Sequence, residues 1–433
     1  MSFAYRDGQL CAEAVPLGEI AAAVGTPAYV YASVSLRTQV RRFVAAFAGQ
    51  RVLLCYAVKA NANLAVIRTL ADEGAGADIV SAGELQRALA AGVPPQRIVF
   101  SGVGKSRDEM IAALDARIAQ FNVESVPELI LLSEVAAARK LAAPVALRIN
   151  PDVAAPTHDK ISTGRRHDKF GIAYDQAPAV YGLARRLAGI EIVGLHLHIG
   201  SQILSLAPFE AAFRRGIELL GQLRRDGIPI RRLDLGGGLG VRYRPEPDLE
   251  PELDLEAYAA LVRDLTAGQQ LELVFEPGRY LVADAGVLLS RVLYVKPGAE
   301  RPCVVLDAGM NNLLRPALYD AYHTILPVAE PAAGAALEAA DVVGPICEST
   351  DIFARRRDLP PLAAEDLVVL TGAGAYGAVM ASDYNSRPVA AEVLVDGARY
   401  AVVKPRIEPA MRFADESLPP WLAPPARERG AAG

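Results

Sequence analysis

Between about Val52 and Arg279 the apolar and polar positions repeat one unit: a short apolar run, a turn, then a longer stretch with apolar residues three to four apart. Short unbroken apolar runs predict buried strands, and three-to-four spacing predicts amphipathic helices. The predicted strands are Val52–Val58, Ala77–Val80, Ile98–Ser101, Ala119–Asn122, Val145–Ile149, Ile192–Ile199, Arg232–Leu235 and Leu271–Glu276. Helices are predicted over Leu64–Glu73, Gly83–Ala91, Asp108–Asp115, Val126–Leu141, Tyr174–Leu187, Pro208–Arg225 and Leu255–Thr266. Asn61 or Asn63, Ser81, Ser106 and Ser125 stand where N-caps belong. Strands alternating with helices imply a parallel sheet, and eight such units close naturally into a barrel. An open doubly wound sheet is the alternative.

Past about Asp284 the pattern changes. Val287–Lys296, Pro302–Asp307, Ala391–Val395 and Ala398–Lys404 read as strands, with Asp396-Gly397 as a hairpin turn. The fold class expected is therefore α/β: a (β/α)8 TIM-like barrel with a second, mainly β C-terminal domain. The expected boundaries are an N-terminal segment 1–32 packing on the β-domain, a barrel 33–284, a β-domain 285–418 and a flexible tail 419–433. Pro27–Ser33 is strand-like, and the tail is rich in Pro, Ala, Gly and Arg.

The 433 residues are 52% apolar and 22% charged, an ordinary globular mix with room for a large core. A formal net charge of -5 gives no electrostatic reason to expect nucleic acid or an anionic membrane. Cys11, Cys55, Cys303 and Cys347 show no CxxC spacing, which argues against a disulfide framework or thiolate zinc site and fits a reducing compartment. With no signal-peptide core and no apolar run long enough to span a bilayer, the expectation is a soluble cytoplasmic protein. The five histidines show no HExxH or other metal spacing, so no metal is expected.

A barrel places chemistry just after its strand C-termini. Lys59, Asp78, Arg148 with Asn150, His198 with Ser201, Gly236–Gly238 and Glu276–Arg279 all fall there. Lys59 ends a strand in apolar surroundings, where lost hydration disfavours the ammonium form, and a neutral amine attacks carbonyl compounds. The bland alternative is a lysine snorkelling to water. The glycine run Gly236–Gly238 and the next loop, Glu276-Pro277-Gly278-Arg279, follow the last two strands, where barrels frequently bind phosphate. Neither is a dinucleotide fingerprint or a P-loop. Phosphate, a carbonyl-reactive lysine and a strand-end acid are the parts that hold pyridoxal phosphate, with Glu276 at the pyridine nitrogen. His196 and His198 face one side of a strand; His198 suits stacking on a cofactor ring, and His196 reads as a satisfied core histidine. Cys347 and Glu348 suggest a proton donor beside a substrate-reading acid. Arg315, Tyr319 and Tyr376 add a carboxylate reader and two phenols.

These residues bring the chain to a known family. It resembles the diaminopimelate decarboxylases, pyridoxal-phosphate enzymes of the alanine-racemase-like barrel type. The resemblance runs from about Thr26 to about Val395. It rests on Tyr56-Ala-Val-Lys59-Ala-Asn, His196-Leu-His198-Ile-Gly-Ser201-Gln, Gly236-Gly-Gly238, Glu276-Pro-Gly-Arg279, Arg315-Pro-Ala-Leu-Tyr319-Asp-Ala-Tyr-His, Gly344-Pro-Ile-Cys347-Glu348-Ser and Gly374-Ala-Tyr376-Gly. Asn311-Asn312 and Thr350-Asp-Ile-Phe depart modestly from the family pattern and touch no named role.

The resemblance implies that Lys59 holds the cofactor covalently, His198 stacks on it and Glu276 meets its pyridine nitrogen. It further implies that Ser201, Gly237, Gly238 and the loop Glu276, Pro277, Gly278 and Arg279 bind its phosphate, with Asp78 and Arg148 in support. Cys347 is implied as the proton donor. Arg279, Arg315, Tyr319, Glu348 and Tyr376 are implied as readers of the far end of meso-diaminopimelate, Tyr376 also touching cofactor. A homodimer with shared active sites is implied, Cys347 and Glu348 reaching the partner subunit's cofactor. Rival readings are a sister decarboxylase for ornithine, lysine or arginine, a racemase of similar barrel type, and a non-catalytic cofactor-binding homologue.

Overall fold

The computed structural model describes residues 2–153, 169–246 and 252–422. Most of the expected tail, 423–433, lies outside the described residues, and nothing below concerns it.

The eight predicted strands are present and close on themselves. Val52–Ala57, Gly76–Ile79, Ile98–Phe100, Gln120–Val123, Ala143–Asn150, Ile190–His196, Arg232–Asp234 and Glu272–Phe275 pair in chain order, every pair parallel. The last strand returns to the first, Leu273 opposite Val52 and Phe275 opposite Leu54. The ring is a (β/α)8 barrel, which excludes the open doubly wound sheet.

Helices Leu64–Asp72, Ala82–Ala90, Arg107–Ala116, Val126–Ala138, Ala177–Ala184, Ala207–Arg225 and Leu255–Thr266 wrap it. The serine and asparagine starts work as predicted. The side chains of Asn63, Ser81, Ser106 and Ser125 each accept a first-turn backbone N–H, and Ser106 with Glu109 forms a reciprocal capping box. Asn63 rather than Asn61 is the cap.

A further helix, Ser33–Ala46, precedes the first barrel strand and was not predicted. Its Phe43 and Phe47 pack on Phe275 with ring centroids 5.2 and 4.5 Å away, beside Tyr258. This aromatic cluster backs the strand that delivers Glu276.

The second sheet is built from both ends of the chain. Ala28–Ala32 pairs antiparallel with Gly286–Lys296 and parallel with Ala391–Asp396. Cys303–Leu306, Glu338–Val343, Ile352–Leu359 and Leu367–Leu370 extend it. A small meander, Phe3–Arg6, Gln9–Ala12 and Val15–Pro16, packs through Leu10, Ala12 and Val15 against Val30, Val287 and Val393. The loop after Leu370 returns to the barrel mouth. There the Tyr376 N–H donates to the Ala60 carbonyl at 2.7 Å, and Asn61 Nδ2 donates to the Gly374 carbonyl at 3.0 Å. Gly374 has no room for a side chain, since a Cβ would lie 1.9 Å from the Val282 carbonyl oxygen.

Candidate active site

Lys59 sits in a single 3-10 turn, Val58–Ala60, at the C-terminal end of the first barrel strand. Its Nζ lies 2.8 Å from Oδ2 of Asp78, which is fully buried in the second strand. The expectation of a neutral amine is overturned. Burial does pull its pKa down, but Asp78, with Tyr376 and Glu276, outweighs burial and raises the pKa above that of an ordinary lysine. Asp78 is itself pushed up to about 6 by burial and by Glu276, against the pull of Lys59.

Beneath the mouth lies a buried polar floor. Glu276 Oε1 accepts from Asn122 Nδ2 at 2.7 Å and from Ser101 Oγ at 3.2 Å. Gln120 Nε2 and Asn122 Nδ2 both reach Asp234 Oδ2, at 3.0 and 3.2 Å, and Asp234 Oδ1 accepts the Gly236 N–H at 3.0 Å. His196 Nε2 stands 3.4 Å from Glu276 Oε2, yet neither ring nitrogen makes an aligned hydrogen bond. His196 is buried as expected, and the group it faces is the Glu276 carboxylate.

Burial pulls the His196 pKa down; Glu276 and Asp234 reverse that and raise it. Burial would raise Glu276, but His196, Lys59 and His198 hold it well below the usual carboxylate range. Asp234 goes the other way, raised to about 8 by burial and by Glu276. Of the two acids, Glu276 is therefore held the stronger and Asp234 the weaker.

Ligand atoms of His196, Asp234 and Glu276 lie within 4.8 Å of one another, a convergence that spacing along the chain did not reveal. Ser101, Gln120, Asn122 and Asp234 were missed from the sequence. Their one signal is alternation: Gln120 and Asn122 flank Phe121 and so face the barrel interior together.

Above the floor, His198 Nδ1 accepts the Gly237 N–H at 3.1 Å, which fixes that nitrogen as the unprotonated one. Burial and Arg148 hold the His198 pKa well below an ordinary imidazole. Arg148 pairs with buried Glu124 at 3.0 Å and lies 4.8 Å over the Phe170 ring. The two glycines of the last loops are tight. A Cβ on Gly237 would fall 2.3 Å from the Glu276 carbonyl oxygen, and one on Gly238, where φ is +102°, would fall 2.7 Å from that of Gly200. Beside them the Ala57 N–H donates to the Pro277 carbonyl at 3.3 Å, and Gly278 packs on Ala57 and Ala60.

Two buried guanidiniums complete the mouth. Arg279 donates to Tyr243 Oη at 2.9 Å and Ser201 Oγ at 3.2 Å, lies 4.7 Å from the Tyr376 ring centroid, and leaves Nε without a partner. Arg315 lies 4.4 Å over the Tyr243 ring and bonds His323 at 2.9 Å. Among the described residues no carboxylate pairs with either arginine; burial and the neighbouring Arg279 lower the Arg315 pKa, whereas at Arg279 the phenols of Tyr243, Tyr376 and Tyr319 outweigh burial and raise it. Two buried, unneutralised cations are costly unless an anion arrives.

Cys347 and Glu348 stand apart from this cluster. Both are exposed; the Cys347 N–H donates to Asn385 Oδ1 at 2.9 Å, and Glu348 accepts from Tyr384 Oη at 3.3 Å. No hydrogen bond or ion pair among the described residues joins them to Lys59. A cavity of about 660 Å³ opens beside Lys59, bordered by Asn63, Glu84, Arg87, Glu392 and Lys404.

The donor set fits pyridoxal phosphate. It combines an amine, an ionised acid held on the barrel floor, a neutral imidazole, backbone approach at Gly237 and Gly238, and an arginine with an unpartnered Nε.

The comparisons agree. Residues 33–283 match the family model described as the pyridoxal-dependent decarboxylase, pyridoxal binding domain. The diaminopimelate decarboxylase of Pseudomonas aeruginosa is 51% identical over 419 residues, 97% of this chain and 99% of that protein. That of Zymomonas mobilis is 49% identical over 425 residues, again 97% and 99%. Among solved structures, diaminopimelate decarboxylase from M. jannaschii in complex with L-lysine superposes with a TM-score of 0.91 at 36% identity, covering 98% of this chain and 99% of that one. The Helicobacter pylori enzyme complexed with L-lysine gives 0.87 at 39% identity, covering 92% and 98%.

Proposed function

Since the chain belongs to the diaminopimelate decarboxylases, within the pyridoxal-dependent decarboxylase family, we propose that the site just described removes carbon dioxide from meso-2,6-diaminopimelate and releases L-lysine. The chain is an amino-acid carboxy-lyase dependent on pyridoxal 5'-phosphate, and its reaction is the last step of lysine biosynthesis. The observation that carries the substrate reading is the pair of buried arginines without a counter-ion.

When bound, the cofactor supplies an electron sink for the pair of electrons left as carbon dioxide departs. Lys59 would tether it through Nζ, and Glu276, ionised, would hold the proton on its pyridine nitrogen. His198 would lie against the ring. Ser201, Gly237, Gly238, Pro277, Gly278 and Arg279 would take the phosphate, and Asp78 and Arg148 would hold the surrounding charge in place. Arg279 and Arg315 would receive the substrate's distal carboxylate, with Tyr319 and Tyr376 beside them, and Glu348 its distal ammonium. A substrate lacking that carboxylate would leave the arginines unpaired, which is a strong ground for rejection.

Cys347 would donate the proton that replaces carbon dioxide on the substrate carbon. Its exposure, and its lack of contact with Lys59, support a homodimer in which Cys347 and Glu348 complete the partner subunit's site. No described helix is long and apolar enough to cross a membrane, and the reading extends to a cytoplasmic enzyme with no nucleic-acid partner. Lys59→Ala should abolish turnover. Carbon dioxide release from meso-diaminopimelate, its LL isomer, lysine, ornithine and arginine tests the substrate, and release from ornithine or arginine at a rate matching diaminopimelate would overturn it.

A further inference from the structure

Arg315 makes one side-chain hydrogen bond among the described residues, from Nη1 to Nε2 of His323 at 2.9 Å. His323 is 1% exposed, and its Nδ1 stands 2.7 Å from the Thr371 carbonyl oxygen. A carbonyl only accepts, so Nδ1 carries the proton. In the neutral ring Nε2 is then a lone pair, which is what a guanidinium N–H requires. Tyr243 closes the corner: its ring lies 4.4 Å under the Arg315 guanidinium and meets the His323 ring edge-on at 5.5 Å. Burial and the neighbouring Arg315 pull the His323 pKa down to about 3, so the ring stays neutral at any working pH.

The choice of partner has a physical logic. An acid in this place would neutralise the arginine and compete with an incoming carboxylate. A protonated histidine would have no lone pair to offer and would repel it. A neutral acceptor fixes the guanidinium's orientation and leaves its charge available.

We propose that His323 is a positioning residue for substrate selection. Locked by the Thr371 carbonyl in the tautomer that accepts from Arg315, it aims the guanidinium at the substrate's distal carboxylate. This rests on the reading that Arg315 takes that carboxylate.

L-lysine and cadaverine differ only by that carboxylate, so the ratio of their inhibition constants on the holoenzyme isolates it. The ratio is measured in wild type, His323→Asn, His323→Gln and Arg315→Leu. Asparagine places an amide at the Nδ1 position, keeping the Thr371 bond but falling short of Arg315. Glutamine reaches the Nε2 position. The asparagine variant should lose about tenfold to a hundredfold of the preference for lysine, the scale of one hydrogen bond to a charged group. Cadaverine inhibition should stay unchanged, and the glutamine variant should keep the preference. Should His323→Asn fail to fold, His323→Ala measured with and without added imidazole replaces it, with recovery expected on addition. An unchanged ratio in the asparagine variant, equal losses in both amide variants, or no recovery with imidazole would overturn the positioning role. If Arg315→Leu also left the ratio intact, the carboxylate reading itself would fall; if it collapsed the ratio alone, only the role of His323 would.

Discussion

Asp78→Asn separates the two forces acting on Lys59. The substitution keeps the shape of the side chain and removes its charge. Opposite unit charges 2.8 Å apart attract by about 1.5 kcal/mol at the dielectric of water and about 6 kcal/mol at an effective dielectric of about 20. The Lys59 side chain keeps 38% of its exposure, which screens the pair and favours the lower part of that range. A loss of about 1.5–3 kcal/mol is about one to two pKa units. The sign is downward, because the ammonium loses its anion while burial continues to oppose it.

Reductive methylation of the apoprotein reads the effect, since only the neutral amine reacts with formaldehyde. Below both pKa values the rate at Lys59, followed by peptide mass, scales with the neutral fraction. It should rise about ten- to a hundredfold in the variant at one fixed pH. An unchanged or slower rate would show that Asp78 does not hold the proton on Lys59, and the account of the site's electrostatics would fail.

Asp234 offers a pH test. An unfolded aspartic acid loses its proton near 3.8, whereas the buried one keeps it to about 8. Folding therefore takes up a proton between those limits, and this group's contribution to stability falls as pH rises from about 4 to about 8. Asp234→Asn should flatten that part of the apoenzyme's curve of Tm against pH; an unaltered slope would place the proton elsewhere. Gly374→Ala would drive a Cβ into the Val282 carbonyl oxygen and should cost about 1–3 kcal/mol, seen as a lowered Tm. Equal stability would mean that the loop shifts freely. Co-expressing Lys59→Ala with Cys347→Ala, each inactive alone, should restore about a quarter of the active sites if each site takes Lys59 from one protomer and Cys347 from its partner across a two-fold axis. No recovery of carbon dioxide release would mean that both residues serve from one chain.

The barrel was legible because its two periodicities are clean and its helices carry serine and asparagine caps. Helix Ser33–Ala46 was not, because it leaves strand Ala28–Ala32 directly, without a capping side chain, and mixes Arg37, Arg41 and Arg42 among its apolar positions. Strand Ile352–Leu359 hid for a similar reason, its Arg355–Asp358 run reading as solvated surface. In the site, barrel geometry alone pointed to Lys59, Asp78, His198 and Glu276, which do meet at the mouth. Asn122 and Asp234 were invisible as site residues, since a lone polar residue in a short strand gives no sign of what faces it across the barrel. The charge of Lys59 was misjudged because its neighbour's distance is a tertiary fact. Burial could be read from the sequence, whereas the carboxylate 2.8 Å away could not.

The contacts Tyr376 to Ala60 and Asn61 to Gly374 also impose an order on biosynthesis. A ribosome that has finished all eight barrel strands has made the Lys59 turn, whose brace is still untranslated. Strand Ala28–Ala32, among the earliest made, waits for Ala391–Asp396 before its second edge is filled. The Lys59 turn thus receives its brace only when almost the whole polypeptide has emerged.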